Sequence, residues 1–206
     1  MTVIVVYPLN DGPMEELSRD ERIEQVARAQ AIAVIAHRGQ TDKLGVAYIY
    51  HPAAVSFGFD PVDSTVACCA AWLHDVLEDT DVTADDLDLA GVHREVIDVV
   101  ELLTRRDGDG DAYYARIARH PVAREVKLAD IADNTEPSRV SRLDPQVRER
   151  LHVKYLHALG LLGEEWPNHW QDAQGGGSEF GSRRFFEYDS EEDADDHADA
   201  DQDEDA

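Results

Sequence analysis

The segment that most limits how this chain can fold is STVACCAAWL, Ser64 to Leu73. Ten residues in a row lack a charge, and such a run belongs in an interior. The overlapping stretch WLHDVLEDT then sets His74, Asp75, Glu78 and Asp79 directly against it. Drawing a charge into an interior is costly unless the charge is paired or holds a metal. The fold must therefore enclose this segment and supply partners for an imidazole and three carboxylates.

The rest of the chain reads as helices. SRDERIEQVARAQAIAVIAHR opens with Ser18 and has Glu21 three residues later, a capping-box pattern. Ile23, Val26, Ala27, Gln30, Ala33 and Val34 follow at helical spacing, and the helix is expected to end near Gly39. GQTDKLGVAYIY is a loop. His51-Pro52 starts a short helix, because proline suits the first turn. Ser64 is placed to cap the apolar helix, and Thr83 with Asp86 opens another. HREVIDVVELLTR is amphipathic. DAYYARIARH, PVAREVKLADIADNT and DPQVRERLHVKYLHALGLL give three more helices, with Tyr113, Tyr114 and Trp72 as core aromatics. No segment after residue 10 alternates as a strand does. The expected fold is an all-α irregular bundle.

Domain limits follow from composition. Residues 1–20 read as an N-terminal arm, and VIVVY within it suits a short strand or a core contact. Residues 21–174 form the domain. GGGSEFGS, residues 175–182, has a flexible-linker composition and resembles a cloning joint. The tail beyond it is acidic and poor in apolar residues, which predicts disorder through residue 206. Residues 187–206 hold twelve Asp or Glu and no Lys or Arg; without them the formal charge of −25 becomes −13. Either value disfavours general binding to nucleic acid. No apolar run reaches the ~18 residues of a membrane span. Cys68 and Cys69 are the only cysteines. Adjacent on a helix, they point apart, and two buried reduced thiols fit a cytoplasmic protein.

Chemistry concentrates at three places. On a helix His74 and Glu78 lie one turn apart, as do Asp75 and Asp79. A metal over their shared edge could take His74 and Asp75 and leave Glu78 and Asp79 near a bound water. Further ligands are available in His51, at a loop-to-helix junction, and Asp130, in VKLADIADN. Lys127, Asp130 and Asn134 share one face at i, i+3 and i+7. The competing reading makes these residues helix caps and buried ion pairs. His37 is read as a packed, hydrogen-bonding histidine.

AHRGQTDKLGVAYIYHP, WLHDVLEDT and VKLADIADN, in that order, resemble the HD-domain metal phosphohydrolases. More narrowly they resemble the hydrolase domain of the RelA/SpoT family and its small stand-alone alarmone hydrolases. The likeness covers about residues 21–162. It implies an HD-domain helical bundle and removal of the 3′-pyrophosphate from guanosine tetra- or pentaphosphate, with Mn2+ as the usual metal. By motif it makes His51, His74, Asp75 and Asp130 the metal ligands. Glu78 and Asp79 would orient and deprotonate the attacking water. Lys43 and Asn134 would face the substrate, with Asp42 beside them. The family pattern is broken at three places, one of them Ile131, which follows Asp130 where a basic residue is common. Asp42 stands where an Arg usually packs on the base, and Asp133-Asn134 stands for the usual His-Asn. Asp42 therefore predicts weaker alarmone binding or another preferred nucleotide, NADPH among them. A non-catalytic nucleotide-binding module is the remaining alternative.

Overall fold

The computed structural model describes residues 12–165. The expectations for residues 1–11, for 166–174 and for the linker and acidic tail lie outside the described residues. What is described is all-α: a one-turn 3-10 helix at Met14–Glu16 and ten α-helices. Among the described residues, β structure is limited to one isolated antiparallel bridge, Thr41 to Ala47.

Helix α1 (Arg19–Ala36) starts as the sequence predicts. The Ser18 hydroxyl accepts from Glu21 N–H, and Glu21 Oε2 accepts from Ser18 N–H at 2.8 Å. Its buried face differs from the expected one. Gln25, Ala29 and Ala33 are buried, while Ile23, Ala27, Gln30 and Val34 are exposed. The reason is steric and polar at once. Two alanines let α1 approach α3 closely, and the Gln25 amide is satisfied on both sides. It donates to Gly91 C=O at 3.1 Å and accepts from His93 N–H at 3.0 Å. A buried amide with both ends bonded incurs little of its desolvation cost.

Helix α2 spans Tyr50–Ser56 and α3 spans Thr65–Leu73. Helix α3 is buried all round except at Val66 and Trp72, and packs on α1, α2, α6 (Arg94–Leu103) and α8 (Pro121–Asn134). Its free, buried Cys68 and Cys69 belong to this packing. Ser64 occupies the N-cap position but makes no side-chain cap; Thr65 Oγ1 bonds back to Pro61 and Val62 carbonyls instead. The helix does not run on through the acidic stretch. It ends at Leu73, the chain turns at His74-Asp75, and α4 covers only Val76–Asp79.

Helix α5 (Ala84–Leu89) carries the predicted Thr83–Asp86 capping box. Helix α6 buries Val96, Ile97, Val99, Val100 and Leu103 along one stripe. Helix α7 (Ala112–Ile117) brings Tyr113 and Tyr114 into the core, where the Tyr113 hydroxyl donates to Leu103 C=O at 2.6 Å. Proline opens α8, the one-turn α9 (Pro137–Val140) and α10 (Pro145–Leu161). No described helix is long and apolar enough to cross a membrane.

Candidate metal centre

Three chain segments converge on one point. Helix α2 brings His51, the turn after α3 brings His74 and Asp75, and α8 brings Asp130. His51, His74 and Asp130 are all buried, and one ligand atom from each lies within 4.8 Å of the others. His51 Nε2 is 3.2 Å from His74 Nε2 and 3.1 Å from Asp130 Oδ1. Asp75 Oδ2 closes the group, 2.9 Å from His74 Nε2 and 3.8 Å from His51 Nε2.

Each imidazole is fixed through its other nitrogen. His74 Nδ1–H donates to Ala71 C=O at 2.7 Å, a contact available because the ring sits just past the end of α3. His51 Nδ1–H donates to Asp133 Oδ2 at 2.7 Å. Both Nε2 atoms are therefore aimed at the same point, the arrangement that holds metal-ligating histidines in place. Asp130 is oriented too. Its Oδ2 accepts from Lys127 Nζ at 2.6 Å, and its Oδ1 accepts from Asn134 Nδ2 at 2.5 Å. The hydroxyl of Tyr48 donates to Asp75 Oδ2.

These residues fit a divalent cation. Ligands about 2.1 Å from an ion lie about 3 Å apart at right angles and about 3.4 Å apart at tetrahedral angles. The separations of 2.9, 3.1 and 3.2 Å match that range, and the His51–Asp75 and His74–Asp130 pairs, both 3.8 Å, subtend wider angles. Electrostatics agree. Burial pushes the His51 imidazole down, yet Asp130 and Asp133 outweigh it and raise its pKa to about 9. His74 is likewise raised against its burial, by Asp75 and Asp130. Burial opposes ionisation of Asp130, but Lys127 and the two histidines hold it well below the carboxylate range. The centre is built around a demand for positive charge.

The other predicted residues lie around it unevenly. Asp79 is close enough for Asp75 to act on it: burial first, then Asp75, raises its pKa. Glu78 turns toward the loop after α6, where its Oε2 accepts from Arg105 N–H at 2.8 Å. Lys43 is exposed on the loop between α1 and α2. Asn134 spends its amide on Asp130, and Asp42 spends its carboxylate within its own loop and on Arg139. Asp42 Oδ1 accepts from Leu44 and Val46 N–H at 2.8 and 3.0 Å, and Oδ2 pairs with Arg139 Nη2 at 3.0 Å. His37 packs its ring 4.9 Å from that of Tyr48 and bonds Gln40 through Nδ1, leaving buried Nε2 without a partner.

Two cations without a sequence signature of their own, Arg105 and Lys154, join Lys43 and Lys127. Arg105 lies over the rings of Tyr113 and Tyr114, at 4.3 and 5.3 Å, and Lys127 lies 5.5 Å from Tyr113. Lys154, on α10, is exposed, with Nζ 5.2 Å from the ring of Tyr155. Partial desolvation and then Lys127 lower its pKa, Asp130 opposes them, and Arg105 and Lys43 add to the lowering. They come from four separate segments, and only the fold assembles them.

No family model matches the chain. Relatives do. A GTP pyrophosphokinase of Streptomyces coelicolor is 33% identical over 168 residues, covering 70% of this chain and 19% of that protein. The guanosine-3′,5′-bis(diphosphate) 3′-pyrophosphohydrolase of Vibrio cholerae is 30% identical over 170 residues, covering 74% of this chain and 24% of that one. The bifunctional (p)ppGpp synthase/hydrolase SpoT of Escherichia coli is 28% identical over 161 residues. The chain resembles the RelA/SpoT-family hydrolases. It spans only about a fifth to a quarter of the length of these curated relatives, 19% to 24%. Among solved structures, a metazoan orthologue of SpoT described as hydrolysing ppGpp shares the fold, with a TM-score of 0.57 at 22% identity. That match covers 73% of this chain and 92% of the orthologue. The all-α bundle is thus the fold of a RelA/SpoT-type hydrolase, as the three ordered motifs predict.

Proposed function

We propose that this protein is a metal-dependent phosphohydrolase of the cytoplasm that removes the 3′-pyrophosphate of guanosine tetra- or pentaphosphate. The observation that carries this reading is the convergence of two oriented imidazole Nε2 atoms with the Asp75 and Asp130 carboxylates on one buried point. His51, His74, Asp75 and Asp130 hold the cation, and a mixed imidazole–carboxylate set suits Mn2+. When bound, a divalent cation supplies Lewis-acid polarisation of a phosphoryl oxygen and a lowered water pKa.

The protein's own residues supply the rest. Asp79, its pKa raised by burial and by Asp75, is suited to take a proton from the attacking water. Glu78, held through Oε2 by Arg105 N–H, is assigned the orientation of that water from its motif position alone. Arg105, Lys127, Lys154 and Lys43 give a polyphosphate a local positive field on a chain of formal charge −25. Such a field raises the local concentration of an anionic substrate. The test is pyrophosphate release from guanosine tetraphosphate with Mn2+, compared with the protein stripped by chelator. Release by the loaded protein alone supports the reading; equal rates with and without metal overturn it.

A second substrate is favoured by one observation. The position where relatives place a base-stacking Arg is Asp42, and its carboxylate is engaged with Arg139. Release of a single phosphate from NADPH, run beside the alarmone assay, decides between the two nucleotides.

A further inference from the structure

Asp133 and Arg139 stand outside the ligand set, yet they lie in an unbroken line from it to the substrate-side loop. Asp133 Oδ2 accepts from His51 Nδ1–H at 2.7 Å and from Arg139 Nη1–H at 3.0 Å. The other terminal nitrogen of Arg139, Nη2, pairs with Asp42 Oδ2 at 3.0 Å. Asp42 in turn closes the loop through its backbone as well as its carboxylate: Asp42 N–H donates to Val46 C=O at 2.8 Å, and Gly45 N–H donates to Asp42 C=O at 3.0 Å. Gly45, at a φ of +76°, permits that reversal. Three elements meet on one guanidinium: the loop through Asp42, α8 through Asp133, and α9, which carries Arg139.

We propose that Arg139 is a positioning residue for the metal centre, and that the Asp42–Arg139–Asp133 bridge couples the 39–48 loop to His51. The proposal rests on the reading of His51, His74, Asp75 and Asp130 as a metal site. The physical argument has two steps. A guanidinium bonded to Asp133 holds that carboxylate stationary, so Asp133 Oδ2 stays in place to accept the His51 Nδ1–H. The ring is then held with Nε2 toward the ligands, and outer partners of this kind are worth about 10–100-fold in metal affinity. Arg139 is itself held by Asp42. One planar fork reaches two carboxylates at once, which a Lys ammonium on a flexible stem does not reproduce.

The coupling is reciprocal, as any linkage between two sites must be. Ordering the loop through Asp42 favours metal binding, and a bound metal favours the ordered loop. Lys43 is the neighbour of Asp42, so the same bridge sets where that cation stands.

The experiment is a set of Mn2+ titrations by calorimetry on the full chain. The proteins are wild type, Asp133→Ala, Arg139→Ala, Arg139→Lys, Asp42→Asn and the Asp42→Asn/Arg139→Ala double variant. The melting temperature of each metal-free protein is the control for folding. Asp42→Asn keeps an oxygen for the Leu44 and Val46 amides, and Arg139 is partly exposed, so both variants should fold. The expected result is a loss of about tenfold in affinity for Arg139→Ala and about 10–100-fold for Asp133→Ala. Arg139→Lys recovers part of the loss. Asp42→Asn weakens binding a few-fold alone and adds nothing to Arg139→Ala, the non-additivity of residues acting through one another. Wild-type affinity in both Arg139 variants overturns the inference, as does a full additive effect of Asp42→Asn. Failure of the wild type to bind Mn2+ overturns the metal reading itself, and is thereby a separate outcome.

Discussion

His51 Nε2 and His74 Nε2 stand 3.2 Å apart, each on a ring whose Nδ1 is already bonded elsewhere. Two ring nitrogens facing each other at that distance are placed to share one cation. Mn2+ at about 100 times its dissociation constant should stabilise the fold by ~2.7 kcal/mol. For a chain of this size that is a rise of roughly 5–10 °C in melting temperature. His51→Ala and His74→Ala should each abolish the rise. A thermal shift that survives both substitutions would place the metal elsewhere.

Asp79 and Glu78 can be separated because they touch different things. Asp79→Asn should lower kcat by about 10²–10⁴-fold, the range of a lost general base, while leaving Mn2+ affinity unchanged. Glu78→Gln retains an oxygen for the Arg105 amide, so a drop in turnover there reports on water orientation and not on the loop. Single-turnover rates beside calorimetric metal affinities measure both. Full turnover in Asp79→Asn would remove the proposed base.

The metal-free protein should lose stability as pH rises from about 6.5 to about 9. The ordinary pKa of His51 is 6.5, and although burial lowers it, Asp130 and Asp133 raise it to about 9 in the fold. A group raised on folding contributes fully below its unfolded pKa, and that contribution disappears as pH passes the folded value. Mn2+ should bind more tightly across the same interval, because the imidazole must shed its proton to become a ligand. Urea midpoints with chelator across this range measure the slope. A His51→Ala variant with an unchanged slope would sink the assignment.

Leu73→Ala should cost about 2–5 kcal/mol, because this side chain is fully buried at the end of α3 and the surrounding helices cannot collapse onto the cavity. It should also weaken Mn2+ binding, since His74 follows directly. Denaturant unfolding and metal titration on one sample test both effects. Loss of stability with wild-type metal affinity would show that the turn holds His74 without help from α3.

The helices were legible in the sequence because caps mark their starts: Ser18 and Thr83 cap as expected, although Ser64 makes no side-chain cap. The convergence of His51, His74, Asp75 and Asp130 was legible because they sit in motifs that keep their order. The break at His74-Asp75 was not, since continuous helical spacing describes the stretch equally well. The buried face of α1 was misjudged for a related reason. Apolar spacing favours Ile23 and Val34 along with Ala33; close packing against small-residue α3 keeps Ala33, adds Ala29 and exposes the larger pair, with Gln25 satisfied by partners distant in sequence. Arg139 was invisible for lack of any local pattern. Its significance comes from Asp42 and Asp133, two positions that depart from the RelA/SpoT pattern and turn out to share one guanidinium.

Helix α3 also acts as a ruler. It is clamped by α1, α2, α6 and α8, so neither its depth nor its rotation is free. The direction in which His74 leaves its end is then set by how many residues precede it. Adding or removing one residue between Thr65 and Leu73 would swing His74 about 100° around the helix axis. The pair would move off the point that His51 and Asp130 share, even with every side chain retained. Substitutions within α3 can be absorbed one methyl group at a time, but its length admits no drift.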